Sequence, residues 1–223
     1  MSSGHNTKIN QVLKEWRPGM VATQRWLDSR GVYYQLADRY VRGGWFQKLA
    51  VGVYCRAGDR PSWAGAVHAL QVHDEHCVYP GGKAALVMLG HGHFVQRGES
   101  KLTLFGPPAS RLPKWFAEHD WGLKVEYRTN VLFDDAALGL SKRDIDGFQM
   151  QLSGAERAML EMLLDVPGEI SVGDASAIAR GAYHPAPLCT ATAFGVLFGP
   201  LSKAPRALAR RSFRTPLDGQ AFP

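Results

Sequence analysis

Ile9, Val12, Leu13 and Trp16 recur at helical spacing and predict a first short helix with one apolar face. Arg17-Pro18-Gly19 ends it, because proline disfavours helix at the residue before it and glycine permits the turn. Thr23 is placed to cap a second helix, with Trp26 and Leu27 inward and Arg25 outward, and Gly31 stops it. Val32 to Arg42 then reads as a third helix, with Val32, Leu36 and Tyr40 on its buried side. Its other side shows Tyr33, Gln35, Asp38, Arg39 and Arg42, with Tyr34 toward the margin. Gly43-Gly44 breaks the helix, and Trp45 to Leu49 alternates like a strand. Ala50-Val51-Gly52 turns into Val53 to Arg56, giving a two-stranded wing that carries Lys48 and Arg56.

Charge gives that order of elements a purpose. Residues 1–60 hold ten Lys/Arg against four Asp/Glu, a balance of +6 that equals the formal charge of the whole 223-residue chain. Residues 61–180 carry eleven against fifteen, and residues 181–223 five against one. A basic helix beside a hairpin suits a major groove. Gln pairs with adenine edges, Arg with guanine or phosphate, and tyrosine hydroxyls with phosphate oxygens. The expected architecture is α+β: an N-terminal winged helix-turn-helix over 1–60, then a mixed α/β domain over 61–180. Three cysteines without close spacing argue for a reducing compartment and against a disulfide frame or zinc ribbon. The N-terminus has no apolar run, and no stretch reaches the ~18 apolar residues of a membrane span, so a cytoplasmic location is expected.

In the middle segment Ser62 heads a helix over Trp63 to Val72. Lys101 to Phe105 reads as a strand and Leu112 to Glu118 as a short helix bringing Trp115 and Phe116 to the core. Leu123 to Tyr127 and Asn130 to Phe133 suit two further strands, with which Gln149 to Leu152 pairs. Ser153 and Glu156 form a capping box for a helix through Leu164, with Ala155, Met159, Met162 and Leu163 inward, and Ser171 caps another over Val172 to Arg180.

Chemistry is sparse here. His73-Asp74-Glu75-His76-Cys77 holds metal-ligand residue types, as do His91 and His93, but neither group has the spacing of a known site. Tyr79-Pro80-Gly81-Gly82-Lys83 lacks the four residues between glycines and the Ser/Thr after lysine that a phosphate loop needs. No catalytic constellation emerges, and no metal or cofactor is expected. The rival class is a DNA-targeted, metal-dependent nuclease, for which His73, His76, His91 and His93 are the candidates.

INQVLKEWRPGMVATQRWLDSRGV, YVRGGWFQKLAVGVYCRAGD and SWAGAVHALQ resemble the AbiEi family of antitoxins from type IV toxin–antitoxin systems. YPGGKAALVMLGHGHF, LTLFGPP, LPKWFAEHDWG and LSGAERAMLEMLLDVPGEIS extend the resemblance over about residues 9–180. The resemblance implies an autorepressor whose winged helix binds inverted repeats in its own promoter as double-stranded DNA, two copies at a time. It also implies an antitoxin-type domain that counters a nucleotidyltransferase toxin without a stable complex. Carried onto this chain, Tyr33, Tyr34 and Gln35 would read the promoter, and Arg25, Arg39, Arg42, Lys48 and Arg56 would hold phosphates. Many relatives carry Ser-Arg in place of Tyr33-Tyr34, which points to a different operator.

From Gly181 the chain turns proline-rich, loses its helical period, and no longer resembles the family. A shift of reading frame would explain both. With permitted codons, the frame one base later can read ALITLRPSVLQQLLESC, a string with amphipathic helical spacing. On that expectation residues 181–223 are an atypical tail, DNA binding survives, and the loss of the last helices leaves the antitoxin function an open question.

Overall fold

The computed structural model describes residues 8–91, 101–108, 110–129, 132–133, 135, 137–168 and 170–182. Helix α1 (Lys8–Glu15) buries Val12 and delivers Trp16, whose indole N–H donates to the Met20 carbonyl at 3.0 Å. Strand β1 (Ala22–Thr23) leads into α2 (Gln24–Asp28), and the Thr23 hydroxyl accepts from the Trp26 N–H as expected of the cap. Trp26 and Leu27 are buried and Arg25 is exposed.

The third helix, α3 (Tyr34–Arg42), starts two residues later than the apolar spacing suggests. Gly31 and Val32 donate backward to the carbonyls of Asp28 and Leu27, and Tyr33 is extended. Val32 is therefore a buried peg in the turn, and α3 turns Ala37 inward with Leu36, Tyr40 and Val41 packed around it. Strands β2 (Phe46–Ala50) and β3 (Val53–Arg56) form the expected hairpin, turned at Gly52 with φ +73°. Strand β1 adds to it, so the sheet order is β1-β3-β2, all antiparallel. Phe46 joins helices to hairpin, meeting Trp16 at 4.8 Å and Tyr40 at 5.2 Å between ring centroids, both edge-on.

Ser62 caps α4 (Trp63–His68), accepting from the Gly65 N–H, and the helix continues as a π-helical turn over Ala69–His73. Strand β4 (Tyr79–Pro80) precedes α5 (Gly82–Met88) and pairs antiparallel with β5 (Lys101–Gly106). Helix α6 (Lys114–Ala117), which buries Phe116, then leads to β6 (Lys124–Thr129), parallel to β5. Strands β7 (Leu140–Ile145) and β8 (Phe148–Ser153) make a separate antiparallel pair. Helices α7 (Ala155–Leu163) and α8 (Val172–Ala182) follow, α8 with the Ser171 hydroxyl accepting from the Asp174 N–H.

Three expectations fail in this segment. Leu132 and Phe133 lie in no strand, while 130 and 131 fall outside the described residues. Among the described residues strand β8 pairs with β7 alone, because Asp146 and Gly147, at φ 52° and 84°, make the two-residue turn that twists with a hairpin. Ser153 belongs to β8 and caps nothing: its hydroxyl donates to Glu161 at 2.7 Å, and Gly154 is the N-cap. Helix α7 is correspondingly rotated, with Arg157, Ala158, Glu161 and Met162 inward and Leu163 exposed. One buried apolar cluster runs from Val12 to Ile178, so the two segments share a core. Residues 183–223, and the expectations placed on them, lie outside the described residues.

Candidate nucleic-acid interface

The outer face of α3 is polar, aromatic and lightly tethered. Tyr33 and Tyr34 are 51% and 44% exposed, and Gln35, Arg39 and Arg42 are exposed beside them. The Arg39 guanidinium donates to the Tyr33 hydroxyl at 3.4 Å, and Arg42 pairs with Asp38 at 2.5 Å. The Lys48 ammonium, from β2, stands 5.9 Å from the Tyr34 ring centroid. An exposed pair of this kind contributes about 0–1 kcal/mol, so each cation can be given over to a ligand at little cost. No side chain caps the N-terminus of α3, a place where helix dipole and free N–H groups favour an anion. Tyr40 and Tyr54 turn the other way; burial raises both phenols above their ordinary range, for Tyr40 against the opposing charge of Arg39.

The eight candidates do not all gather there. Tyr33, Tyr34, Gln35, Arg39 and Arg42 share the α3 region, and Lys48 joins them from the hairpin. Arg56 is half-buried at the far end of β3 from the turn, opposite Phe46. Arg25 is ion-paired to Glu75 at 2.7 Å, beyond the π-helical turn. The hairpin tip carries an exposed Val51, not a cation, and its Gly52 carbonyl accepts from the Gln24 N–H at 2.7 Å. Trp45, exposed at the foot of the hairpin, is the residue that sequence reasoning passed over. Its signal was an aromatic directly after the Gly43-Gly44 break.

The other candidate chemistry resolves differently. His73 is buried, and burial first, then His68 and Arg30, brings its pKa down to about 3, so its ring is neutral. His76 and His91 are half-buried, and His93 lies outside the described residues. Among the described residues no three His, Cys, Asp or Glu side chains gather as metal ligands. Burial first, then Asp59, pushes the buried Cys55 thiol up. The Gly81-Gly82 turn is filled by the protein itself, since the Gly82 N–H donates to the Glu161 carboxylate at 3.0 Å. That carboxylate also accepts from Arg157 Nε at 2.9 Å and from Ser153. Arg157 further donates to the Tyr79 hydroxyl and the Leu138 carbonyl. Tyr79 is pushed up to about 12, by burial first and then by the Glu161 charge. This is a satisfied knot of buried charge and no open site.

Helices and small sheets thus make a mixed α+β chain, whose N-terminal helix-turn-helix-type segment is consistent with a regulator's. The AbiEi antitoxin N-terminal domain model, described as a transcriptional regulator, matches residues 5–97. The AbiEi antitoxin model of type IV toxin–antitoxin systems, likewise a transcriptional regulator, matches residues 99–187. The chain belongs to the AbiEi family of antitoxins and transcriptional regulators of type IV toxin–antitoxin systems. No curated protein matches it. Among solved structures it is similar to the RV2827C protein from Mycobacterium tuberculosis, at 15% identity and a TM-score of 0.45, over 94% of this chain and 82% of that one. Among the described residues no helix is long and apolar enough to cross a membrane.

Proposed function

We propose that residues 1–60 form a winged helix that represses its own operon by reading inverted repeats in double-stranded promoter DNA. The observation that carries this is the exposed face of α3, where Gln35 stands among two tyrosines and two arginines that packing does not use. In this proposal α3 enters the major groove and Gln35 reads a base edge. Tyr33, Tyr34, Arg39, Arg42 and Lys48 hold phosphates and register, with Arg56 at the margin. Arg25 joins the contact only if Glu75 releases it. Residues 61–180 then form the antitoxin domain, countering a nucleotidyltransferase toxin without a lasting complex. Fluorescence anisotropy on the chain's own upstream DNA, with a scrambled duplex beside it across a salt series, tests the first half. Selective binding is expected; equal affinity for both duplexes would reduce the basic face to a general polyanion patch.

The composition break near Gly181 favours a second reading for this chain alone, a DNA-binding member whose antitoxin domain is truncated by a frameshift. Resequencing the gene decides it. A one-base change near codon 180 that restores amphipathic helices supports the frameshift, and the lack of one removes it.

A further inference from the structure

A cavity of about 490 Å³ opens between α1–α2 and the π-helical turn after α4, and none of its lining residues belongs to α3. Three guanidiniums reach it. Arg17 donates to the Gly147 carbonyl at 2.6 Å, Arg25 pairs with Glu75, and Arg30 pairs with Glu15 while stacking 3.9 Å over the Trp26 ring. A guanidinium has five N–H donors in a planar fork, and those of Arg17 and Arg25 are mostly without protein acceptors among the described residues. Glu15 and Glu75 are both exposed and already bonded to arginine, so three cations face two anions.

The inner wall is different in kind. His73 is 7% exposed, its Nδ1 is buried without a hydrogen-bond partner, and its ring lies 5.5 Å from Trp26 at 32°. It is held there by a π-helical turn, a rare geometry that recurs at functional sites. Phe148 and Met20 complete the apolar part. A space of this size with cations on one side and flat rings on the other exceeds what a simple ion fills and matches a small organic ligand.

The geometry points to this cavity as a binding site for a small oxyanion carried on a planar aromatic body. Arg17 and Arg25 clamp the phosphate or carboxylate, and the body lies against the Trp26–His73 wall. A polyanion strand is disfavoured, since Glu15 and Glu75 line the same concave surface. The site stands whether or not α3 binds DNA. Four of its lining residues, Arg25, Trp26, Ser29 and Arg30, lie in α2 or just after it, so an occupant touches the segment that leads into α3.

Isothermal titration of the full chain with adenosine monophosphate, and with adenosine and inorganic phosphate as separate arms, tests it. One saturable site is expected for the nucleotide, tighter than for either half. The paired substitution Arg17→Gln and Arg25→Gln should weaken it about tenfold or more, as loss of two charged hydrogen-bond donors does. The charge-matched pair Lys124→Gln and Arg143→Gln, both exposed and outside the cavity, should leave it unchanged. No saturable binding, or equal weakening by both pairs, would overturn the assignment.

Discussion

Helices α3 and α7 are both nine residues long, and each carries an acid and a base four apart. Asp38 and Arg42 pair with their side chains 39% and 78% exposed, whereas Arg157 and Glu161 pair at 1% each. On a helical wheel the two pairs look alike, and both would be assigned to a solvated face. The difference lies in what each meets. Arg42 and Asp38 meet water, so they are held weakly and remain usable by a partner. Glu161 meets the Gly82 N–H, the Ser153 hydroxyl and Arg157, so every oxygen is satisfied, and the pair joins β8, α5 and α7, with β4 reached through Tyr79. Exposed charge here is available for recognition; buried charge is committed to the fold.

Breaking the buried pair gives the largest expected effect. Glu161→Gln leaves the Arg157 cation buried without its counter-charge and should cost about 3–5 kcal/mol, read as a lower urea midpoint. Replacing both, as Arg157→Met with Glu161→Leu, should recover only part of that, because it removes the unpaired charge but leaves the Gly82 N–H and the Ser153 hydroxyl without their acceptor. Asp38→Asn should move stability by only about 0–1 kcal/mol. Equal losses at Glu161 and Asp38 would erase the contrast.

His73 sharpens the same contrast through pH. Its folded pKa, about 3, lies below the ordinary 6.5, so the unfolded chain takes up the proton first. The histidine's contribution is therefore intact above pH 6.5 and is lost as pH falls toward 3. Between pH 7 and 5 this amounts to about 2 kcal/mol, at ~1.4 kcal/mol per pH unit below 6.5. Urea midpoints of wild type and His73→Phe over that range should diverge, with the variant the flatter; parallel curves would mean that the buried ring does not govern the slope.

On the α3 side the effects belong to binding and not to folding. Gln35→Ala should cost ~1–3 kcal/mol on the operator and relax discrimination at one base pair, measured by anisotropy across point-substituted duplexes. Arg39→Ala is smaller still: affinity falls alike on all sequences, and the slope of log affinity against log salt drops by about one. Neither should change the unfolding free energy by more than about 0.5 kcal/mol.

The asymmetry between the helices also explains what could be read in advance. Helices α1 to α3 and their hairpin follow local rules, a Thr23 cap, a glycine stop and alternating strands, and those rules operate within a few residues. The start of α3 was missed, because Val32 is buried by a turn and not by a helix face, and so was β1, which adds a third strand to the two-stranded wing. The second segment depends on distant partners. Ser153 looks like a cap until Glu161, eight residues on, takes its hydroxyl, and α7 rotates with that choice. Gly81 carries the same message, since a Cβ there would stand 2.3 Å from the Glu161 carboxylate, a closeness that no local pattern announces. The Asp146-Gly147 turn was missed, although that dipeptide between strand-like runs is a strong hairpin signal. Of the candidate interface, the basic and aromatic residues were legible as types, while the ion pair of Arg25 with Glu75 needed the fold.

The most direct test is hydrogen–deuterium exchange of the full chain with and without its upstream DNA, resolved by peptide. Slowed exchange over 33–49, with 153–163 unchanged, is the predicted result, because the duplex would cover α3 and the foot of the hairpin and leave the buried pair alone. No slowing over 33–49 while the DNA is bound, or protection centred on 140–163, would contradict the account and move recognition to the other face of the molecule.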